Sequence, residues 1–144
     1  MKLNIIAIGS LSEDYKRLYN EYVHKISFFA KINLIEIKEQ KIDNIELKIQ
    51  KETELILNKI PKNSMVFYLS TNAKQLNSIE FSKLFVDTDN ITFIIGGSNG
   101  VDESYFKNKI NFSKMTFPHQ LFRIMLVEQI YRGFTIKNNI PYHK

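Results

Sequence analysis

Short apolar, β-branched runs alternate along the chain with segments of helical spacing, and from that alternation a doubly wound α/β domain on a parallel sheet is expected. Two further features support this fold. Gly9 and Gly96 directly follow two of the runs, as happens where a turn or a ligand lies beyond the carboxyl ends of strands. Ile91–Ile95 is also the most continuously β-branched run in the chain, which suits a central parallel strand. One domain accounts for residues 1–144, because no shift in composition divides the chain and 44% hydrophobic content supplies a proper core.

The elements follow in order. Leu3 to Ile8 suits a strand buried on both faces. After Ser12, a suitable N-cap, residues Tyr15, Leu18, Tyr19, Tyr22, Val23 and Ile26 recur at helical spacing. Ile32 to Ile37 alternates as a second strand, and most of Ile42 to Ile60 reads as a helix that must stop before Pro61. Met65 to Leu69 is the third strand, followed by a polar loop. Asn77, with Glu80 three residues later, has the pattern of a capping box and starts a helix through Phe81, Leu84 and Phe85. A turn at Asp87–Asn90 leads into Ile91–Ile95, expected as a central parallel strand. The last helix runs from about His119 to Phe134 behind Pro118, a residue suited to a helix's first turn.

Composition excludes several classes. Without cysteine, neither a disulfide framework nor a thiolate metal site can form, and His24, His119 and His143 are too scattered to suggest a metal cluster. The first apolar run is too short for a signal peptide and breaks into charged residues, and no run approaches a membrane span, so a cytosolic protein is expected. The net charge is +5, and its placement says more than its size. Residues 1–95 carry 13 Lys and Arg against 12 Asp and Glu, whereas residues 96–144 carry 7 against 3. The basic excess therefore coincides with the glycine turn, as a phosphate-rich partner requires, although a solvated basic face has the same composition.

Chemistry is expected in this last third. Glycines in Gly96-Gly97-Ser98-Asn99-Gly100 let a ligand approach main-chain groups closely; a plain tight turn uses the same residues. The spacing matches neither the dinucleotide fingerprint nor the P-loop. The extended turn before Pro118 exposes backbone groups that could bond an adenine edge. Apolar residues cover nearly the whole circumference of the final helix, which points to burial on a second side by a partner subunit. Glu128 and Arg132 form an i,i+4 pair on it. Arg123, set in an apolar arc, is either held by a buried partner or aimed at an anion. The tail Tyr142-His143-Lys144 reads as a frayed terminus or as a stacking aromatic, a titratable imidazole and a cation offered to a base.

Taken together, Gly96-Gly97-Ser98-Asn99-Gly100, Phe112-Ser113-Lys114-Met115-Thr116-Phe117-Pro118-His119-Gln120, Arg123, Glu128-Gln129-Ile130-Tyr131-Arg132 and Tyr142-His143-Lys144 resemble the RlmH family, also called YbeA-like. These are bacterial SPOUT-class methyltransferases of 23S ribosomal RNA. The resemblance covers essentially the whole chain. It implies a SPOUT-type α/β domain with a C-terminal trefoil knot, the knot and cofactor site lying within about 91–144, and a homodimer. It also implies S-adenosylmethionine as cofactor, with S-adenosylhomocysteine as product. The implied contacts fall at Leu69, Gly96, Phe112, Ser113, Lys114, Met115, Thr116 and Phe117.

The implied reaction is methyl transfer to N3 of a pseudouridine in the subunit-interface stem-loop, on the assembled ribosome, with no metal and no membrane. On this reading His143 is the base or orienting group, Tyr142 the stacking contact and Arg123 the phosphate or substrate contact. The chain departs from the pattern in places. Many relatives have Leu-Asp/Glu-x-x-Gly-Lys after the third strand, where this chain has Leu69-Ser70-Thr71-Asn72-Ala73-Lys74. Relatives commonly have a lysine after the first glycine, where Ser10 stands, and their middle helical region is longer. Two other readings are a non-catalytic ribosome-binding factor on the same fold and a flavodoxin-like nucleotide-binding domain. The second explains neither the Pro118 turn nor the tail.

Overall fold

The computed structural model describes residues 1–144. Five parallel strands are present: β1 (Lys2–Ile8), β2 (Lys31–Ile37), β3 (Met65–Leu69), β4 (Asn90–Ile95) and the two-residue β5 (Lys109–Ile110). The helices are α1 (Glu13–Ile26), α2 (Ile45–Leu57), α3 (Ser78–Ser82) and α4 (His119–Lys137). The sheet order is β2-β1-β4-β3-β5, so β4 is central as its composition requires.

Alternation along the strands sends side chains to two cores. Leu3, Ile5, Ala7, Phe67, Leu69, Ile91, Phe93 and Ile95 pack against α1, α3 and α4 on one face. Ile6, Ile8, Tyr68 and Ile94 pack on the other face with Ile56 of α2. Asn4, buried in β1, is reconciled with the sheet by donating to Asn90 Oδ1 at 3.1 Å and to the Ile91 carbonyl at 3.3 Å.

The helix starts differ in how they are capped. Asn77 and Glu80 make the capping box, with Glu80 N–H donating to Asn77 Oδ1 at 2.8 Å and Asn77 N–H to Glu80 Oε1 at 3.0 Å. The helix they open is one turn long and continues as a 3-10 turn, Lys83–Phe85. Ser12 does precede α1, but its hydroxyl caps nothing; its backbone N–H instead donates to Gln120 Oε1 at 2.6 Å, joining the starts of α1 and α4. α2 starts at Ile45 because Asn44 accepts from Leu47 N–H at 3.1 Å.

The wide apolar circumference of α4 is met mostly within the chain. The helix lies between α1 and α3, which bury Ile124, Leu126, Val127, Ile130 and Phe134 together with the sheet. Gly133 permits this close approach, since a Cβ there would stand 2.5 Å from Phe85 Cε2. Leu121, at 37% exposure, and half-buried Met125 remain on the outer side.

Candidate functional site

Strand register sets the geometry of the site. Tyr68 pairs with Ile94, and Leu69 pairs with Ile110, so β3, β4 and β5 end level with one another. Beyond these ends lies a cleft of about 390 Å³, within the size range of small-molecule sites.

One wall is the glycine loop. Gly100, at φ +77°, turns the chain back so that its N–H donates to the Gly97 carbonyl at 2.9 Å. A Cβ on Gly96 would stand 3.1 Å from both Tyr68 Oη and Val101 Cγ1, so glycine lets the main chain itself form the surface. Behind the loop, α2 braces it. Lys48 Nζ donates to Asn99 Oδ1 at 2.9 Å, and Thr53 Oγ1 accepts from Asp102 N–H at 3.0 Å. Glu52, fully buried, accepts from Gln40 N–H at 2.9 Å. Its other oxygen is unpartnered and would lie 2.7 Å from a Cβ on Gly97.

The opposite wall is residues 110–117, stitched to the loop after β3. Ser70 N–H donates to the Ile110 carbonyl at 2.8 Å, and Leu76 N–H to the Asn111 carbonyl at 3.1 Å. Asn111 Oδ1 accepts from Ser113 N–H at 3.0 Å, and Ser113 Oγ from Met115 N–H at 3.0 Å. These side-chain bonds hold an irregular segment open without a regular ladder. Phe112 and Phe117 pack on Phe122 of α4 with ring centroids 5.3 and 6.3 Å away.

Leu69, Gly96, Phe112, Ser113, Met115, Thr116 and Phe117 all line this cleft. Lys114 does not; its side chain is exposed. Sequence reasoning missed the lining residues Ser70, Asn72, Glu103, Asn111 and His119. Some signal was available for Ser70, since it directly follows a strand end already singled out. None was available for Glu103, which a 3-10 turn (Glu103–Tyr105) brings back to β3.

Arg123 has a buried partner. The residue is 2% exposed, and its guanidinium pairs with Glu36 of β2 and donates to the Gly9 carbonyl at 3.1 Å. Of the two alternatives, the buried partner is the one present in this structure. It joins α4 to the carboxyl ends of β1 and β2.

Tyr142 and His143 are ordered against the far part of α4. Tyr142 Oη donates to Glu128 Oε1 at 3.1 Å, and its ring meets the Tyr131 ring edge-on at 4.8 Å. Burial, with the Glu128 charge adding to it, pushes the Tyr142 phenol up to about 12. Arg132 lies over the Tyr142 ring at 4.9 Å and bonds Glu128 Oε1 through Nε at 3.0 Å. Its Nη1 also meets His143 Nδ1 at 3.1 Å. A guanidinium can only donate, so Nδ1 accepts and the neutral ring carries its proton on Nε2. Phe122 lines the cleft and Arg132 holds the tail; at 1.5 Å per residue the helix separates them by roughly 15 Å. Within one chain, the tail and the cleft are two places.

No group of three or more His, Cys, Asp or Glu side chains is gathered as a metal site, and no helix is long and apolar enough to cross a membrane. Parallel strands covered on both faces, with the cleft at their carboxyl ends, place the molecule among nucleotide-cofactor-binding α/β domains. Residues 1–143 match the family model described as "Predicted SPOUT methyltransferase". The chain belongs to the SPOUT methyltransferase family, and its chemistry is methyl transfer from a donor cofactor. It is 67% identical, over all of both chains, to the ribosomal RNA large subunit methyltransferase H of Metamycoplasma arthritidis. Over all of both chains it is also 64% identical to the protein of that name from Mycoplasma mobile, and 45% identical to that from Clostridium tetani.

Proposed function

We propose that this chain, as a homodimer in the bacterial cytoplasm, transfers a methyl group from S-adenosylmethionine to N3 of a pseudouridine in the subunit-interface stem-loop of 23S ribosomal RNA, acting on the assembled ribosome. The names of its relatives support ribosomal RNA as substrate. The observation that carries the cofactor assignment is the cleft, with main chain at Gly96 and along 112–117, apolar side chains between them and a single carboxylate. That donor set fits S-adenosylmethionine: backbone groups suit an adenine edge, Leu69, Ile95 and the phenylalanines suit its flat and aliphatic parts, and the cradle at Gly96 is one that a Cβ would crowd. A trefoil knot within 91–144 belongs to the same proposal. The stitching of 111–115 onto 71–76 and the seating of α4 between α1 and α3 support it.

When bound, the cofactor supplies an electrophilic methyl group on a sulfonium. The chain's own work is to hold the two reactants in line and to favour loss of the N3 proton to water. His143, with its proton on Nε2, serves as an orienting donor to a carbonyl oxygen beside N3, and the Arg132 cation behind it favours an N3 anion. Tyr142, held by Glu128, offers its ring for stacking. The separation of tail from cleft supports a site completed across the dimer, with the outer stripe at Leu121 and Met125 contributing to the interface.

The test is transfer of labelled methyl from S-adenosylmethionine to ribosomes lacking the modification, with the labelled nucleoside identified by mass spectrometry. Label on N3 of the pseudouridine is expected. Ligand binding without any label would favour a non-catalytic ribosome-binding factor instead.

A further inference from the structure

Of the 22 residues that line the cleft, Glu103 is the only carboxylate, and none is Lys or Arg. In a chain of net charge +5, a cleft whose one formally charged side chain is an acid is not built for phosphate. Its position is also firmly set. Ser70 Oγ donates to Glu103 Oε1 at 2.7 Å, and Asn72 Nδ2 donates to Oε2 at 3.2 Å, so each oxygen is held by one donor from the loop after β3. The turn carrying Glu103 is fixed from below: Asp102 accepts from Ser104 N–H at 3.1 Å, and its own N–H is tied to Thr53 of α2. Lys109 stands 3.9 Å from Oε1, too far for a hydrogen bond.

A carboxylate has about four acceptor positions, and two are in use here. The residue keeps 26% side-chain exposure, so the remaining lone pairs of its two oxygens can meet adjacent donors in the cleft. Two neighbouring hydroxyls satisfy that arrangement. Doubly wound folds use an acid in the same way to hold ribose beside a glycine turn.

We infer that Glu103 is a binding residue of this cleft and takes the 2′- and 3′-hydroxyls of the cofactor's ribose, with Ser70 and Asn72 as the positioning residues that aim it. This rests on the reading of the cleft as an S-adenosylmethionine site. It assigns the ribose to the junction of the loops after β3 and β4.

The experiment is calorimetric titration of the full-length wild type, Glu103→Gln and Ser70→Ala with S-adenosylhomocysteine and with 5′-methylthioadenosine, which keeps the ribose but lacks the amino-acid group. For Glu103→Gln, affinity for both ligands should fall by the same factor, roughly ten- to hundredfold, as loss of charge-assisted hydrogen bonds implies. Ser70→Ala, which keeps the carboxylate but frees it, should show a smaller loss for both. Circular dichroism melting of the unliganded variants separates these effects from misfolding. With 2′-deoxy-S-adenosylhomocysteine the wild type should bind weakly, and Glu103→Gln should cost much less than it does with the parent ligand. Unchanged affinity in Glu103→Gln, with wild-type binding intact, would overturn the assignment of Glu103 alone. A loss confined to S-adenosylhomocysteine would also overturn it, by placing the carboxylate on the amino group. Failure of the wild type to bind either ligand would overturn the cofactor reading together with this inference.

Discussion

At the scale of single residues, the ion pair between Arg123 and Glu36 is asymmetric. The guanidinium is buried, whereas the Glu36 side chain keeps 39% exposure. Glu36→Ala strands a buried cation and should cost about 3 kcal/mol in urea denaturation; Arg123→Met leaves a carboxylate that water can reach and should cost less than half as much. Tyr68 gives a pH-dependent signature. Burial, with the Glu103 charge adding to it, raises its phenol to about 12 in the folded chain, whereas in the unfolded chain it ionises near 10. The raised value stabilises the fold fully below pH ~10, and this contribution is lost as pH rises towards about 12. The difference in stability between wild type and Tyr68→Phe should therefore change across that interval and be flat below it, which alkaline denaturation curves would show.

At the scale of elements, the seat of α4 against the turn after α3 is the tightest packing at any glycine. Gly133→Ala drives a methyl against the Phe85 ring, which is itself stacked on Phe134 at 4.8 Å and has little room to yield. A loss of roughly 1–3 kcal/mol is expected in chemical denaturation, despite alanine's better helix propensity. The capping box of α3 is worth less. Asn77→Ala should cost about 1 kcal/mol, because only one short turn depends on it. Elements with strong local signals were the legible ones: β4 from its β-branched run, α1 from its stripe and α3 from Asn77 and Glu80. β5 was not, since two residues carry no periodicity and Lys109–Ile110 pairs only because the Glu103–Tyr105 turn returns the chain to β3.

At the scale of the whole molecule, the cleft proposed for the cofactor is lined by one chain, whereas Tyr142 and His143 lie elsewhere along α4. His143→Ala should therefore reduce methyl transfer by about a hundredfold or more while S-adenosylhomocysteine affinity stays within twofold, a split that kinetic and calorimetric measurements would separate. Leu121→Glu on the outer stripe should shift light scattering towards a monomer and abolish transfer, again with the cleft still able to bind.

The parallel α/β architecture, the two loops that face the cleft and the basic final third were all readable from residue order, because glycine, proline and β-branched runs act locally and need no distant partner. Folding settled what depends on residues far apart in the chain. It placed Glu36 beside Arg123, 87 positions away, and so made that arginine a structural tie. It seated α4 between α1 and α3, burying much of its apolar circumference within the chain. It also brought Glu103 to Ser70, because a carboxylate's role depends on which donors meet it, and spacing in the sequence does not encode that.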